Sequence, residues 1–387
     1  MENTPGRSSP SEIAGLFLRL GLTAFGGPAA HLSLMQREFV SHRHWLNDSE
    51  FLDLTGACNL LPGPGSTQVA MAIGFRRAGW TGLLLAGCSF ILPAALATLL
   101  LAWIYTRFGA LPPAQSLLNG AKPAMLAILL QAVWKLGRKA LHSWPLAILA
   151  CAALGAALAG MPPLAVLLLA GALGLLLQRL RSRPKLAFVL FPPLSSGTLA
   201  ATGSGVAAHA GLLPLLLLFL KLGIAVFGSG YVLLVFLHAD LVERLHWITP
   251  QQLLDAVAAG QLTPGPVFAT ATFLGFLLHG WQGAAIATLA IFLPSFPMAA
   301  AASLFARRIR ASAQTGAFLD GVNAAAIALM ASVALPLGKA SLLHPTQWGI
   351  AATGTALLFT TKINPTWILL LAAACGWLSQ AGFSAAR

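Results

Sequence analysis

Cys58-Asn59-Leu60-Leu61-Pro62-Gly63-Pro64-Gly65 lies inside an apolar stretch, and Gly260-Gln261-Leu262-Thr263-Pro264-Gly265-Pro266 repeats its pattern in the second half of the chain. A helix leading into either segment has good start signals. Asn47 and Thr249 sit as N-caps with Glu50 and Gln252 three residues on, the spacing of a capping box, and Pro250 suits the first helical position. Neither helix can continue through Pro-Gly-Pro, because proline removes a donor and clashes with the preceding turn. About 13 residues at a rise of roughly 1.5 Å give about 20 Å, too short to cross a bilayer. Each half therefore holds a helix broken inside an apolar segment.

The repetition spreads outward from these two points. At an offset of 202 residues Gly21 falls on Gly223, Phe25-Gly26 on Phe227-Gly228, His44-Trp45 on His246-Trp247, and Asp53 on Asp255. After one deletion the offset is 201, and Gly74 matches Gly275, Gly79-Trp80 matches Gly280-Trp281, Pro93 matches Pro294 and Gly120 matches Gly321. Leu and Ala coincide by chance in such a chain, whereas Trp, Asp and Pro-Gly-Pro do not. The domains predicted are residues 1–185 and 211–387, with the FPPLSSG and ATGSG stretch of 186–210 as linker. In each, an apolar helix (about 13–34; 211–237) ends in a Gly-rich kink, Phe25-Gly26-Gly27-Pro28 or Phe227-Gly228-Ser229-Gly230. A charged amphipathic connector follows (37–50; 238–252), then the broken helix. Further spans are expected at about 80–106, 114–134, 144–160 and 163–178, and at about 281–306, 314–338, 346–361 and 365–381.

Composition places these helices in a membrane. Of 387 residues 57% are hydrophobic and 9% charged, mean hydropathy is +0.80, and a soluble domain carries about 25% charged residues. No charged side chain occurs from Trp80 to Thr106, from Ser143 to Gln178 or from Trp281 to Ala306. The fold class is thus an all-α integral membrane protein of two homologous multi-helix halves. The polar start, with a single Arg before Ile13, is not a cleavable signal peptide. The four cysteines are scattered in apolar segments and read as buried small hydrophobes. The net charge of +13 comes from clusters at the ends of apolar runs, as cytoplasmic loops carry it, so nucleic acid is excluded as a partner. Arg76-Arg77 matches uncharged Leu277-Leu278, whereas lone Arg107 matches Arg307-Arg308-Arg310. Equivalent loops on opposite sides of the bilayer produce such a reversal, so the repeats are expected to be inverted.

Paired interruptions at corresponding positions mark a transporter's substrate site. A helix beginning at membrane depth offers free N–H groups and the positive end of its dipole, which favours an anion. Asn59, Ser66, Thr67 and Gln68 surround one break, and Gln261, Thr263 and Thr270 the other; Asn59 and Gln261 are repeat equivalents. Such amide and hydroxyl donors suit an oxygen-rich ligand that must be released again.

FGGP near the start, CNLLPGPGSTQVA in the first half and GQLTPGPVFATATFLG in the second resemble the two-domain bacterial chromate transporters, the CHR family, over nearly the whole chain. The resemblance implies an inner-membrane carrier that exports chromate and confers chromate resistance. It maps onto Gly26, Gly27, Pro28, Asn59, Pro62, Gly63 and Pro64, and onto Gly228, Gly230, Gln261, Pro264, Gly265 and Pro266. One departure is Gly65, where many relatives carry a polar residue such as Asn. Another oxyanion such as sulfate, or a non-transporting scaffold, remains an alternative.

A dianion calls for a cation. Lys122 and Lys221 lie within apolar runs, and an ionisable residue at membrane depth points to function; snorkelling to the interface is the competing role. Arg19 is the repeat equivalent of Lys221, and Asn323 that of Lys122. Asp53 and Asp255 suit helix N-termini or ion pairs, and His31, His209 and His279 lack partners at metal-ligand spacing, so no metal is expected. Without H-E-x-x-H, G-x-S-x-G or a P-loop the chain is not an enzyme and needs no cofactor. Transport is then secondary, facilitated or driven by a counter-ion or proton, and a homo-oligomer is left open.

Overall fold

A computed structural model describes residues 9–109, 111–182, 211–227, 230–311, 313–361 and 363–385. Among the described residues all regular structure is helical, and five helices are long and apolar enough to cross a membrane. The expected linker, 186–210, and Gly228 lie outside the described residues.

The first half opens with two helical hairpins that enter and leave at the same end. Helix α1 (Pro10–Thr23) stops before Gly26 and Gly27, whose φ values of +105° and +79° suit glycine alone. Pro28 then opens α2 (Pro28–Gln36), which continues as a π-helical turn over Arg37–His42. The two limbs are antiparallel. Phe17 stacks on Phe39 with centroids 5.0 Å apart, and Arg43 reaches back to Glu12 at 2.6 Å and Glu38 at 2.7 Å. The second hairpin pairs α3 (Asp48–Leu60) with the first limb, 65–77, of α4 (Gly65–Phe108). Its tip is Pro62-Gly63-Pro64, with Gly63 at φ +110°. Its mouth lies beside that of the first hairpin, where the Arg77 guanidinium covers the Trp45 ring at 4.6 Å. At Ala78-Gly79 the chain turns again, and residues 80–108 run as one limb of about 43 Å. Gly74 and Gly82 let the two limbs touch, since a Cβ on either would strike the other's backbone carbonyl.

The second half repeats this order in α8 (Leu212–Ala225), α9 (Val232–Leu237) with a π turn over His238–Arg244, α10 (Pro250–Leu262), α11 (Thr270–Phe292) and α12 (Ser295–Ala311). Correspondence reaches single dihedral angles. Ala78 and His279 have φ −144° and −143° with ψ 27° in both, while Gly79 and Gly280 have φ +59° and +55°. Both capping boxes form: Glu50 N–H donates to Asn47 Oδ1 at 2.8 Å, and Gln252 N–H to Thr249 Oγ1 at 3.2 Å.

The halves are inverted. The long limb of α4 begins beside the mouth of the first half's hairpins, and near its far end Tyr105 donates to Asp255 on α10 at 3.2 Å. Reciprocally, Ser303–Ala306, near the far end of α12, line a cavity with Glu50 and Asp53 of α3. The α3–α4 and α10–α11 hairpins therefore enter from opposite ends and meet tip to tip in the middle. There Gly63 N–H donates to Val226 O at 2.6 Å and Gly265 N–H to Ala24 O at 2.9 Å, with acceptors that are themselves repeat equivalents. Neither glycine tolerates a side chain: a Cβ on Gly265 would lie 2.8 Å from Ala94 Cβ, and one on Gly63 2.7 Å from Gln68 Nε2.

The remaining helices brace this centre: α5 (Pro112–Ala140), α6 (Trp144–Leu158), α7 (Pro163–Ser182), α13 (Ala313–Ser341), α14 (Pro345–Thr360) and α15 (Pro365–Ala385). α5 packs on α15 and α13 on α7, each exchange resting on close-packed glycines, Gly120 against Gly376 and Gly321 against Gly171. Leu84, Leu92, Leu96 and Leu100 on α4 point outward, as a lipid-facing stripe requires. Trp80 and Trp281, both exposed, mark the two opposite ends, where indole rings favour the interface.

One expectation needs correction. The first apolar helix does not run to 34; Gly26 and Gly27 split it, and α2 returns as a separate limb. The span at about 281–306 is present, its helical bonding loosened between Phe292 and Ser295. Its partner Pro93 leaves α4 continuous, but the second half carries Pro297 as well as Pro294, removing two donors within one turn. The span expected at about 144–160 appears as α6, which ends at Leu158, with Gly160 at φ +84° making the turn.

Candidate functional site

Where the tips meet, Pro28, His31, Asn59, Gly65, Ser66, Gly230, Pro266 and Phe268 are among the residues that enclose a cavity of about 30 Å³. Two helix N-termini arrive there from one half. α2 starts at Pro28, and α4 starts at Gly65, where the first helical bond is Gln68 N–H to Pro64 O at 3.0 Å. The amides of Gly65, Ser66 and Thr67 consequently have no intrahelical acceptor. From the other half come Gly230 and the 3₁₀ turn Val267–Ala269. Peptide dipoles thus converge with their positive ends on one small space, which favours an anion.

Side chains add polar groups beside these amides. The His31 ring is wholly buried, with Nδ1 3.1 Å from Ser66 Oγ and Nε2 3.1 Å from Ala24 O. Because the carbonyl only accepts, Nε2 carries the proton in the neutral ring, and Ser66 donates to Nδ1. Asn59 closes the cavity from the last turn of α3. The second half does not duplicate this polar set: Leu233 stands at the equivalent of His31 and Phe268 at that of Ser66. The donors come from one half and an apolar wall from the other.

Not every predicted residue reaches the cavity. Gly63, Gly265, Gly26 and Gly27 shape the tips and turns, as do Pro62 and Pro264, while Pro64 and Pro266 line the cavity beside Asn59 and Ser66. Thr67 is fully buried, and its hydroxyl has no partner among the described residues. Thr270 is turned to its own backbone, donating to Val267 O at 2.8 Å. Gln261 bonds the Tyr231 hydroxyl through its side chain, and its amide nitrogen is buried without a partner among the described residues. Gln68 donates to Pro62 O at 2.5 Å and fastens the first tip.

The lysines lie elsewhere. Lys122 on α5 pairs with Asp255 at 3.5 Å, both side chains largely buried. Lys221 pairs with Asp240 at 2.8 Å across the α8–α9 hairpin, its side chain 41% exposed. His31 is the participant that spacing did not single out. Its position one turn after the Phe25-Gly26-Gly27-Pro28 break was the available signal.

The match to known proteins covers both halves. The model of the chromate transporter family matches residues 11–175 and again 213–377. The chain belongs to the chromate transporter family. It is 32% identical over 374 residues to the chromate transport protein of Cupriavidus metallidurans, covering 94% of this chain and 92% of that one. It is 31% identical to a probable chromate transport protein of Synechococcus elongatus, with 95% of each covered. It is 30% identical to the chromate transport protein of Pseudomonas aeruginosa, covering 97% and 94%. No solved structure matches the chain. Membership and the spanning helices place it in the bacterial inner membrane as a multi-pass transporter.

Proposed function

We propose that this chain is a secondary transporter that carries chromate out of the cytoplasm and so confers resistance to it. The observation that supports this reading best is the convergence of the α2 and α4 N-termini with Asn59 and the His31–Ser66 pair on one cavity between the two halves. Several neutral donors can replace the hydration of four oxygens without holding the anion permanently. A cavity of 30 Å³ has room for about one water, so the tips must part to admit an oxyanion. Gln261, whose buried amide nitrogen has no partner among the described residues, and the Thr67 hydroxyl then join the ligand set.

Orientation follows from charge. The end where the first half's hairpins open carries Arg37, Arg43, Arg76 and Arg77, and α5 returns to it with Lys135, Arg138 and Lys139. The opposite end carries Arg107, Arg244 and Lys339. Positively charged loops stay in the cytoplasm, so the basic end is the cytoplasmic one. The described residues leave the energy source to a proton or counter-ion gradient.

Chromate efflux from preloaded cells tests the site. The Ser66 hydroxyl must leave His31 Nδ1 to reach the anion when the tips part. Losing one neutral hydrogen bond costs about 0.5–1.5 kcal/mol, so Ser66→Ala and Asn59→Ala should each weaken chromate affinity by roughly two- to tenfold. Normal affinity in both variants would remove the cavity from the transport path.

A further inference from the structure

The two ends of the molecule are built from equivalent residues but closed differently. At the basic end Glu50, Asp53 and Arg76 face Ser303–Ala306 across an open cavity of about 610 Å³. At the opposite end the equivalent positions are joined to one another. There Asp255, the counterpart of Asp53, receives Tyr105 at 3.2 Å and pairs with Lys122 at 3.5 Å. Ala102, the counterpart of Ser303, is fully buried. The sequence accounts for the difference: the basic end carries Ala306 where the other has Tyr105, and Asn323 where the other has Lys122. The non-basic end thus joins its carboxylate to a phenol and a lysine for which the basic end has no counterpart in sequence.

Position along the hairpins gives this asymmetry a meaning. Asp53 precedes Asn59 by six residues on α3, and Asp255 precedes Gln261 by six on α10, about 9 Å along each helix. Both aspartates thus stand between a mouth and the central tips. We propose that Lys122, Asp255 and Tyr105 form a latch that holds the non-basic end of the pathway shut, and that the structure is the state open at the basic end. The inference rests on the alternating-access transporter reading above, and it gives Lys122 a gating role in place of a substrate-binding one. Breaking the ion pair removes the bias, so the population shifts towards opening at the latched end.

Cysteine labelling reads that population directly, whether or not an anion is carried. In the full-length chain with its four native cysteines replaced, single reporters are placed at Ala102→Cys and Ser303→Cys. With Lys122 and Asp255 intact, the reporter at 303 should label and the one at 102 should be protected. Lys122→Gln or Asp255→Asn should raise labelling at 102 about tenfold, the factor lost with one charge-assisted bond, and lower it at 303. The exchanged pair Lys122→Asp with Asp255→Lys should restore protection at 102, which also answers the objection that a single variant misfolds. Continued protection at 102 in the single variants would overturn the latch, and so would increased labelling at both positions or failure of the exchanged pair to restore it. A loss of chromate flux with unchanged labelling returns Lys122 to the substrate path and overturns the latch. The labelling shift in a protein that moves no chromate upholds the latch and sinks the chromate reading instead.

Discussion

Gly265→Ala tests the meeting of the two tips most sharply. Three costs fall on this position. Its φ of +93° is one that residues with a Cβ rarely adopt, costing about 1–2 kcal/mol. The new Cβ would lie 2.8 Å from Ala94 Cβ, with Gly21 O at 3.5 Å and Phe90 O at 3.7 Å; overpacking of this kind costs about 1–3 kcal/mol. Any retreat from Ala94 lengthens the bond from Gly265 N–H to Ala24 O, now 2.9 Å, which contributes about 0.5–1.5 kcal/mol. The sum is roughly 3–6 kcal/mol, a large share of a typical domain's stability. Gly160→Ala supplies the comparison, because its φ is +84° but a Cβ there meets nothing within 4 Å. It should lose only the backbone part, about 1–2 kcal/mol. Thermal unfolding of the purified proteins in detergent measures both, with chromate efflux as the functional readout. Equal losses for the two variants would show that the Gly265 tip is not seated against α4 and would refute the interlocked arrangement.

Three further outcomes follow from the same geometry. Single cysteines replacing Arg77 and Leu278 should label from opposite faces of the membrane, since the equivalent turns lie at opposite ends; labelling from one face would make the repeats parallel. His31→Leu installs the side chain found at equivalent Leu233 and frees the Ser66 hydroxyl from its acceptor, so chromate affinity should rise roughly two- to tenfold while the protein still inserts; an unchanged affinity would leave His31 a packing residue. Lys221→Met should cost under about 1 kcal/mol once its exposure and solvent screening are allowed for, and chromate export should persist; its loss would put Lys221 back in the path.

What the sequence disclosed was local chemistry. Pro62-Gly63-Pro64, its copy, and the caps at Asn47 and Thr249 are decided within four residues, and all appear where expected. The repeat was legible because Trp, Asp and Pro-Gly-Pro rarely coincide, and inversion because loop charge records sidedness. The direction taken after each break was not legible. A chain leaving Pro64 can carry on across the bilayer or turn back, and the choice is set by a second half whose Val226 O receives Gly63 N–H from far along the chain. Pairing across the halves was equally hidden: Lys122 meets Asp255 through packing of α5 on α10, which no spacing encodes. His31 was passed over because its partner Ser66 lies 35 residues on, joined only when two hairpins stand side by side.

Chromate flux in inside-out membrane vesicles bears on the central claim without intermediaries. With the basic, cytoplasmic end facing the medium, vesicles containing the protein should take up chromate added outside, and a proton or counter-ion gradient imposed separately should identify the driving force. Excess sulfate in the same assay measures how selective the site is. Uptake should be saturable and reduced by Ser66→Ala. Uptake no greater than in vesicles lacking the protein, under every gradient, would contradict it.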